Sequence, residues 1–188
     1  MNALFAAAAD VQSFLTDRGW VAAVIGGLAV QRWGEPRQTR DVDVALLTGI
    51  GTEAAYVDVL LSRYAARRPD ARTFALTYRV VLVETASGVP LDISLAALPY
   101  EERVMARATP YAFAPDCLVR TCSAKDLIVL KAFADRPQDW LDVEGIIVRQ
   151  GRALDRGLVV EELAALLELK EDVTPQGTLH KLFDRHRP

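Results

Sequence analysis

The sequence predicts an α+β fold: a small mixed or antiparallel sheet flanked by helices, with a mainly helical C-terminal region. Two observations carry this prediction. Short runs with an apolar residue at every second position, Asp41 to Leu47 and Val89 to Leu95, fall in the first half of the chain. Beyond residue 97 the apolar residues recur mainly at helical spacing, with one short extended piece at Leu118 to Cys122. Strands gathered early and helices late give an α+β arrangement, and the change of character divides the chain into a first part, 1–108, and a helical part, 109–188, expected to pack on it.

Taken in order, Leu4, Phe5, Ala8, Val11, Phe14 and Leu15 share one helical face over residues 3–18, and Gly19 supplies the stop. The opening run is apolar but lacks a basic leader, and Asp10 interrupts it, so it reads as a helix and not as a secretion signal. Trp20 to Ile25 is a β-branched and apolar run that ends in Gly26-Gly27, and Leu28 to Trp33 then forms a short helix closed by Gly34 and Pro36. Asp41 to Leu47 alternates as a strand with one polar face, and residues 52–66 follow as a helix. Arg79 to Glu84 and Val89 to Leu95 make a hairpin around Ser87-Gly88. Helices are expected at 99–107, 123–134, 138–150, 158–170 and 175–186, with Glu161, Glu162, Glu168, Glu171 and Asp172 forming a solvated acidic face.

Composition removes several classes of function. A chain of 188 residues with 51% hydrophobic content can bury a core without metal or disulfide support. The formal charge of −3 excludes a protein that coats nucleic acid by charge alone, so a nucleic-acid partner would have to be gripped locally. Cys117 and Cys122 match no zinc spacing, and His180 and His186 lie near the far end of the chain, six apart and off a common helical face, so zinc and Cys/His chemistry have no support. Two cysteines in a chain of this size read as reduced thiols in the cytoplasm, and no run is long enough for a membrane span.

The residues that carry chemistry are Gly26-Gly27, then Arg37, Thr39, Arg40, Asp41 and Asp43, with Asp92 on a later strand. Asp41 and Asp43 stand two apart on a strand, so they point the same way with Cα atoms roughly 6 to 7 Å apart, close enough to share a pair of metal ions. Aspartate is disfavoured in strands and costly to bury unpaired, so three of them on strand positions require exposure or a cation. Oxygen-only ligands suit Mg2+ or Mn2+. A glycine pair between strand and helix lets a backbone approach a phosphate at a helix N-terminus. The spacing is not that of a dinucleotide turn, because Leu28, Ala29 and Val30 follow adjacent glycines, and no Gly-x-Ser-x-Gly nucleophile elbow is present.

The run GGLAVQRWGEPRQTRDVDVAL resembles the signature of nucleotidyltransferases of the polymerase-beta superfamily. The particular order, Gly-Gly, then Arg-x-Thr, then Asp-x-Asp, is similar to the abortive-infection and toxin-antitoxin nucleotidyltransferases, and Asp92 in LDIS stands where such enzymes place a third carboxylate. The resemblance implies a nucleotidyltransferase fold and transfer of a nucleoside monophosphate from a nucleoside triphosphate, with Mg2+ or Mn2+ held by Asp41, Asp43 and Asp92. It implies phosphate contacts from Gly26, Gly27, Arg37, Thr39 and Lys131, and secondary contacts from Arg40, Asp139 and Asp142. The acceptor would be an RNA such as tRNA, a protein or a small molecule, and a cognate toxin or antitoxin partner is implied. A second patch, residues 123–142, carries Lys131 on a helix as these families do, but Gln138 stands where they have a lysine. Lys131 has a structural alternative, pairing with Asp135 four residues on. The same fold could also serve a non-catalytic protein that binds nucleotide or a partner.

Overall fold

The computed structural model describes residues 2–115, 117–170 and 172–187. It is a mixed α+β structure built on a seven-stranded sheet of order β3-β4-β5-β2-β1-β7-β6. The strands are β1 (Ala22–Ile25), β2 (Val42–Leu47), β3 (Ala65–Ala66), β4 (Val80–Glu84), β5 (Pro90–Ala96), β6 (Thr109–Ala114) and β7 (Cys117–Thr121). The helices are α1 (Ala3–Thr16), α2 (Gly26–Trp33), α3 (Glu53–Arg63), α4 (Ala71–Tyr78), α5 (Pro99–Arg107), α6 (Ala124–Ala134), α7 (Pro137–Gln150), α8 (Arg156–Glu168) and α9 (Thr174–Arg185). None of the described helices is long and apolar enough to cross a membrane.

The chain divides into two compact units, Met1–Leu28 with Gln38–Cys122, and Ala29–Arg37 with Ser123–Pro188. In the first, alternation along the strands sorts side chains between two faces. Val42, Val44 and Leu46 of β2, Leu91, Ile93 and Leu95 of β5, and Val81 and Val83 of β4 join Leu4, Val11, Leu15, Val57 and Leu60 in the main core. The opposite face carries a smaller cluster, Ala23, Ala45, Met105 and Ala108, which leaves the leading ends of β2 and β5 on that face to polar residues. β2 and β5 run parallel, with Asp43 opposite Asp92, and β1 runs antiparallel to β2 with Ile25 opposite Asp43.

Three elements were not foreseen. Residues 52–66 do not form one helix: α3 stops at Arg63, and β3 pairs with β4 at Ala65 and Ala66. α4 follows, ending at Arg79 in the left-handed region with φ 55°. The Arg79 guanidinium stabilises that conformation by donating to the carbonyls of Leu95 and Gly49 and pairing with Glu53, a contact that holds the Glu53 carboxyl down to about 2. β6 is an exposed edge strand antiparallel to β7; Pro110 near its start keeps a ladder donor off the edge.

In the second unit, α6 and α7 pack together, as do α6 and α8. Segment 34–35 lies against α7, where a Cβ on Gly34 would stand 2.8 Å from Ile146 Cγ1 and one on Gly145 would stand 3.2 Å from the Glu35 nitrogen. Glu162, expected on a solvated face, is buried among the apolar residues of α8. Glu171 of the same acidic stretch lies outside the described residues. Cys117 and Cys122 are buried and form no disulfide.

Candidate active site

The first unit brings Asp41, Asp43 and Asp92 together. One carboxylate oxygen from each lies within 4.8 Å of the other two, and all three residues are half-buried. The sheet causes this: Asp43 and Asp92 are direct neighbours on parallel strands, and Asp41 sits two residues before Asp43, on the same side of the pleat.

Each carboxylate has a specific support. The Gly27 N–H, in the first turn of α2, donates to Asp43 Oδ2 at 3.4 Å, where the positive end of the helix dipole favours an anion. Thr39 Oγ1 donates to Asp41 Oδ1 at 2.9 Å. Arg67 Nη1 donates to Asp92 Oδ1 at 2.7 Å. Arg67 was not singled out from sequence, because it follows a two-residue strand in a polar stretch that carries no periodicity.

The two glycines are required by close approach of these side chains. A Cβ on Gly26 would fall 1.8 Å from Asp43 Oδ2 and 2.7 Å from Asp43 Cβ, and Gly26 also holds φ +63°. A Cβ on Gly27 would fall 2.3 Å from Thr39 Oγ1. The Gly-Gly pair, the threonine and the aspartates of the sequence motif thus form one packed unit. Arg40 is exposed beside it.

Arg37, Lys131, Asp139 and Asp142 lie in the second unit and form a network of their own. Lys131 Nζ contacts Asp139 Oδ1 at 2.9 Å and Asp142 Oδ2 at 2.7 Å. Arg37 grips Asp142 with a two-pronged contact, Nε to Oδ1 at 2.8 Å and Nη2 to Oδ2 at 2.9 Å, and Arg136 Nε reaches Asp139 Oδ2 at 2.7 Å. Asp139 and Asp142 are three apart on α7, so both carboxylates face one side of it. The side chains of Lys131 and Asp142 are only 7% and 3% exposed. Burial pushes the Asp142 carboxyl up, but the hydrogen bonds from Arg37 and Lys131 outweigh it and hold the group below the usual aspartate range. Asp135, the partner expected for Lys131, instead ends α6 with φ 56° and accepts from Trp140 Nε1 at 2.7 Å. Asp135 keeps the i+4 backbone bond to the Lys131 carbonyl at 3.1 Å, but its carboxylate is engaged by Trp140.

No family model matches the sequence, and no curated protein matches it. Solved structures with a similar course of the chain are nucleotidyltransferase-like. An antigenic nucleotidyltransferase-like protein from Paracoccidioides brasiliensis has 15% identity and a TM-score of 0.49, covering 94% of this chain and 92% of its own. The lincomycin-bound lincosamide antibiotic adenylyltransferase LnuA has 12% identity and a TM-score of 0.46, covering 73% and 92%. ANT(2")-Ia in complex with adenylyl-2"-tobramycin has 19% identity and a TM-score of 0.48, covering 89% and 95%. Similarities this weak fix neither an activity nor an acceptor for this chain.

Two outcomes follow from the geometry. Gly26→Ala should push Asp43 out of the cluster and, where the three carboxylates hold a cation, weaken manganese binding roughly 10- to 100-fold, the range for disturbing the support of a metal ligand. Manganese titration followed by electron paramagnetic resonance reads this; unchanged affinity would mean that Asp43 does not need its place against Gly26. Asp142→Asn should lower stability at neutral pH by about 1.5 to 3 kcal/mol, because it neutralises the partner of Arg37 and one of the two carboxylates on Lys131, which keeps Asp139. Since the Asp142 pKa is lowered in the fold, its contribution is present above the unfolded value near 4 and is lost as pH falls through the lowered value. Urea unfolding of both proteins should therefore differ most at pH 7 and converge in acid, and a constant gap down to pH 2 would contradict the assignment.

Proposed function

We propose that the chain is a metal-dependent nucleotidyltransferase, which moves a nucleoside monophosphate from a nucleoside triphosphate to an acceptor hydroxyl and releases pyrophosphate. The observation that carries this reading is the convergence of Asp41, Asp43 and Asp92 within 4.8 Å beside the first turn of α2. The donor chemistry fits Mg2+ or Mn2+: three half-buried carboxylates that offer oxygen only. Asp41 and Asp43 would hold both ions and Asp92 the one on the acceptor side. When bound, the ions supply charge stabilisation at the attacking and leaving oxygens of an in-line displacement.

The chain's own groups do the rest. Gly26 and Gly27 allow the backbone at the start of α2 to come close to the triphosphate, where the helix N-terminus favours negative charge. Thr39 fixes the orientation of Asp41. Asp92 accepts the proton of the acceptor hydroxyl as its oxygen bonds to the α-phosphorus, while the bond from that phosphorus to the bridging oxygen breaks and pyrophosphate leaves with the electron pair. Lys131 and Arg37, expected at the phosphates, have buried pairing with Asp139 and Asp142 that supports a structural task for both.

The resemblance of the Gly-Gly, Arg-x-Thr, Asp-x-Asp order to the abortive-infection and toxin-antitoxin nucleotidyltransferases supports tRNA or a partner protein as acceptor over a small molecule, and with it a role as a toxin-antitoxin component. The net charge of −3 is consistent with a local grip on such an acceptor.

The test is incubation with each α-labelled nucleoside triphosphate, magnesium, total tRNA, cell protein and small-molecule extract. The expected result is label on one acceptor class, reduced on the order of a thousandfold in Asp41→Ala/Asp43→Ala and in Asp92→Ala, in line with losing a preorganised charge at the reacting atoms. Full transfer by Asp92→Ala would overturn the assignment. Metal-dependent triphosphate binding with no transfer to any acceptor would identify a non-catalytic nucleotide- or partner-binding protein instead.

A further inference from the structure

Arg67 lies in register with the carboxylates. Its N–H bonds to the Leu82 carbonyl at 3.1 Å, one step beyond the paired Ala66 and Val83. Leu82 is paired with Asp92, and Asp92 with Asp43. Arg67, Leu82, Asp92 and Asp43 therefore form one row across β3, β4, β5 and β2, on a single face of the sheet. Two strand spacings, about 10 Å, separate the backbones of Arg67 and Asp92. An arginine crosses that span over Leu82 to meet Asp92 Oδ1 at 2.7 Å, with 28% of the arginine side chain and 31% of the aspartate side chain exposed.

An ion pair this exposed contributes little to stability. Its place in the row gives it another consequence. The three carboxylates repel one another, and Arg67 is the cation that contacts Asp92, on the side away from α2 and Asp43.

From this row we infer that Arg67 is a positioning residue for Asp92: an internal counter-ion that commits one carboxylate oxygen, fixes the plane of the group, and gives way in charge to the incoming metal. This rests on the reading of the aspartates as a metal site. A positive charge beside a divalent cation weakens the binding of that cation, while a fixed carboxylate favours turnover. Removing Arg67 should therefore move metal affinity and turnover in opposite directions, a pattern that general loss of structure does not produce.

The experiment is Mn2+ binding, followed by electron paramagnetic resonance without nucleotide, on the wild-type chain, Arg67→Ala, Arg67→Lys and Asp41→Ala/Asp43→Ala. Arg67→Ala should bind manganese at least about tenfold more tightly, the effect of one unit charge a few ångströms from a divalent ion even at the dielectric of water. Arg67→Lys keeps the charge and should bind as wild type does. In the transfer reaction kcat should fall in Arg67→Ala with the KM for nucleoside triphosphate little changed, and recover in part in Arg67→Lys. Unchanged or weaker manganese binding by Arg67→Ala overturns the inference, as does an undiminished kcat. Manganese binding that survives in Asp41→Ala/Asp43→Ala would instead overturn the metal-site reading on which the inference stands.

Discussion

Mutual repulsion of Asp41, Asp43 and Asp92 is the constraint around which the first unit is arranged. Two unit charges 4.8 Å apart repel by about 1 kcal/mol in water and between 3 and 4 kcal/mol at the effective dielectric near a protein surface. Three such pairs favour a hydrogen-bond donor or a positive charge beside each carboxylate. The surrounding residues offset that cost one carboxylate at a time. The Gly27 N–H supports Asp43, the Thr39 hydroxyl supports Asp41, and the Arg67 guanidinium supports Asp92. The proposal of a cation-dependent function starts from this cluster.

The parallel pairing of β2 with β5 is what enforces the cluster. Their inner faces, Val42, Val44 and Leu46 beside Leu91, Ile93 and Leu95, are locked in the main core, so the register is set by burial. A slip of one residue would turn all of these into the opposite face. The same alternation made both strands readable from sequence, and the aspartates legible as intruders on a polar face. Thr39 was legible through the motif, but its partner was not, because a contact between Thr39 and Gly27 depends on how the 34–38 turn returns to the sheet.

The elements missed in the sequence lack a period that could have revealed them. β3 is two residues long, and Arg67 matters through its register with Leu82 and Asp92, a relation between distant segments. β6 is largely exposed on both faces, so Thr109–Ala114 shows no alternation of burial. Helical spacing places Lys131 on α6, but a helical repeat offers only Asp135 as its partner. The real partners, Asp139 and Asp142, come from the next helix after a left-handed residue redirects the chain. Charge alone puts Glu162 in solvent, whereas α8 buries the face it shares with Val159, Leu163 and Leu166.

The most direct test of the metal site is crystallographic: the protein with manganese and a non-hydrolysable nucleoside triphosphate, with diffraction recorded at the manganese absorption edge. The account predicts anomalous density within about 2 to 2.5 Å of carboxylate oxygens of Asp41 and Asp43, with Asp92 beside it and the triphosphate running toward the start of α2. Nucleotide bound elsewhere, or no anomalous density at the three aspartates at saturating manganese, would contradict it.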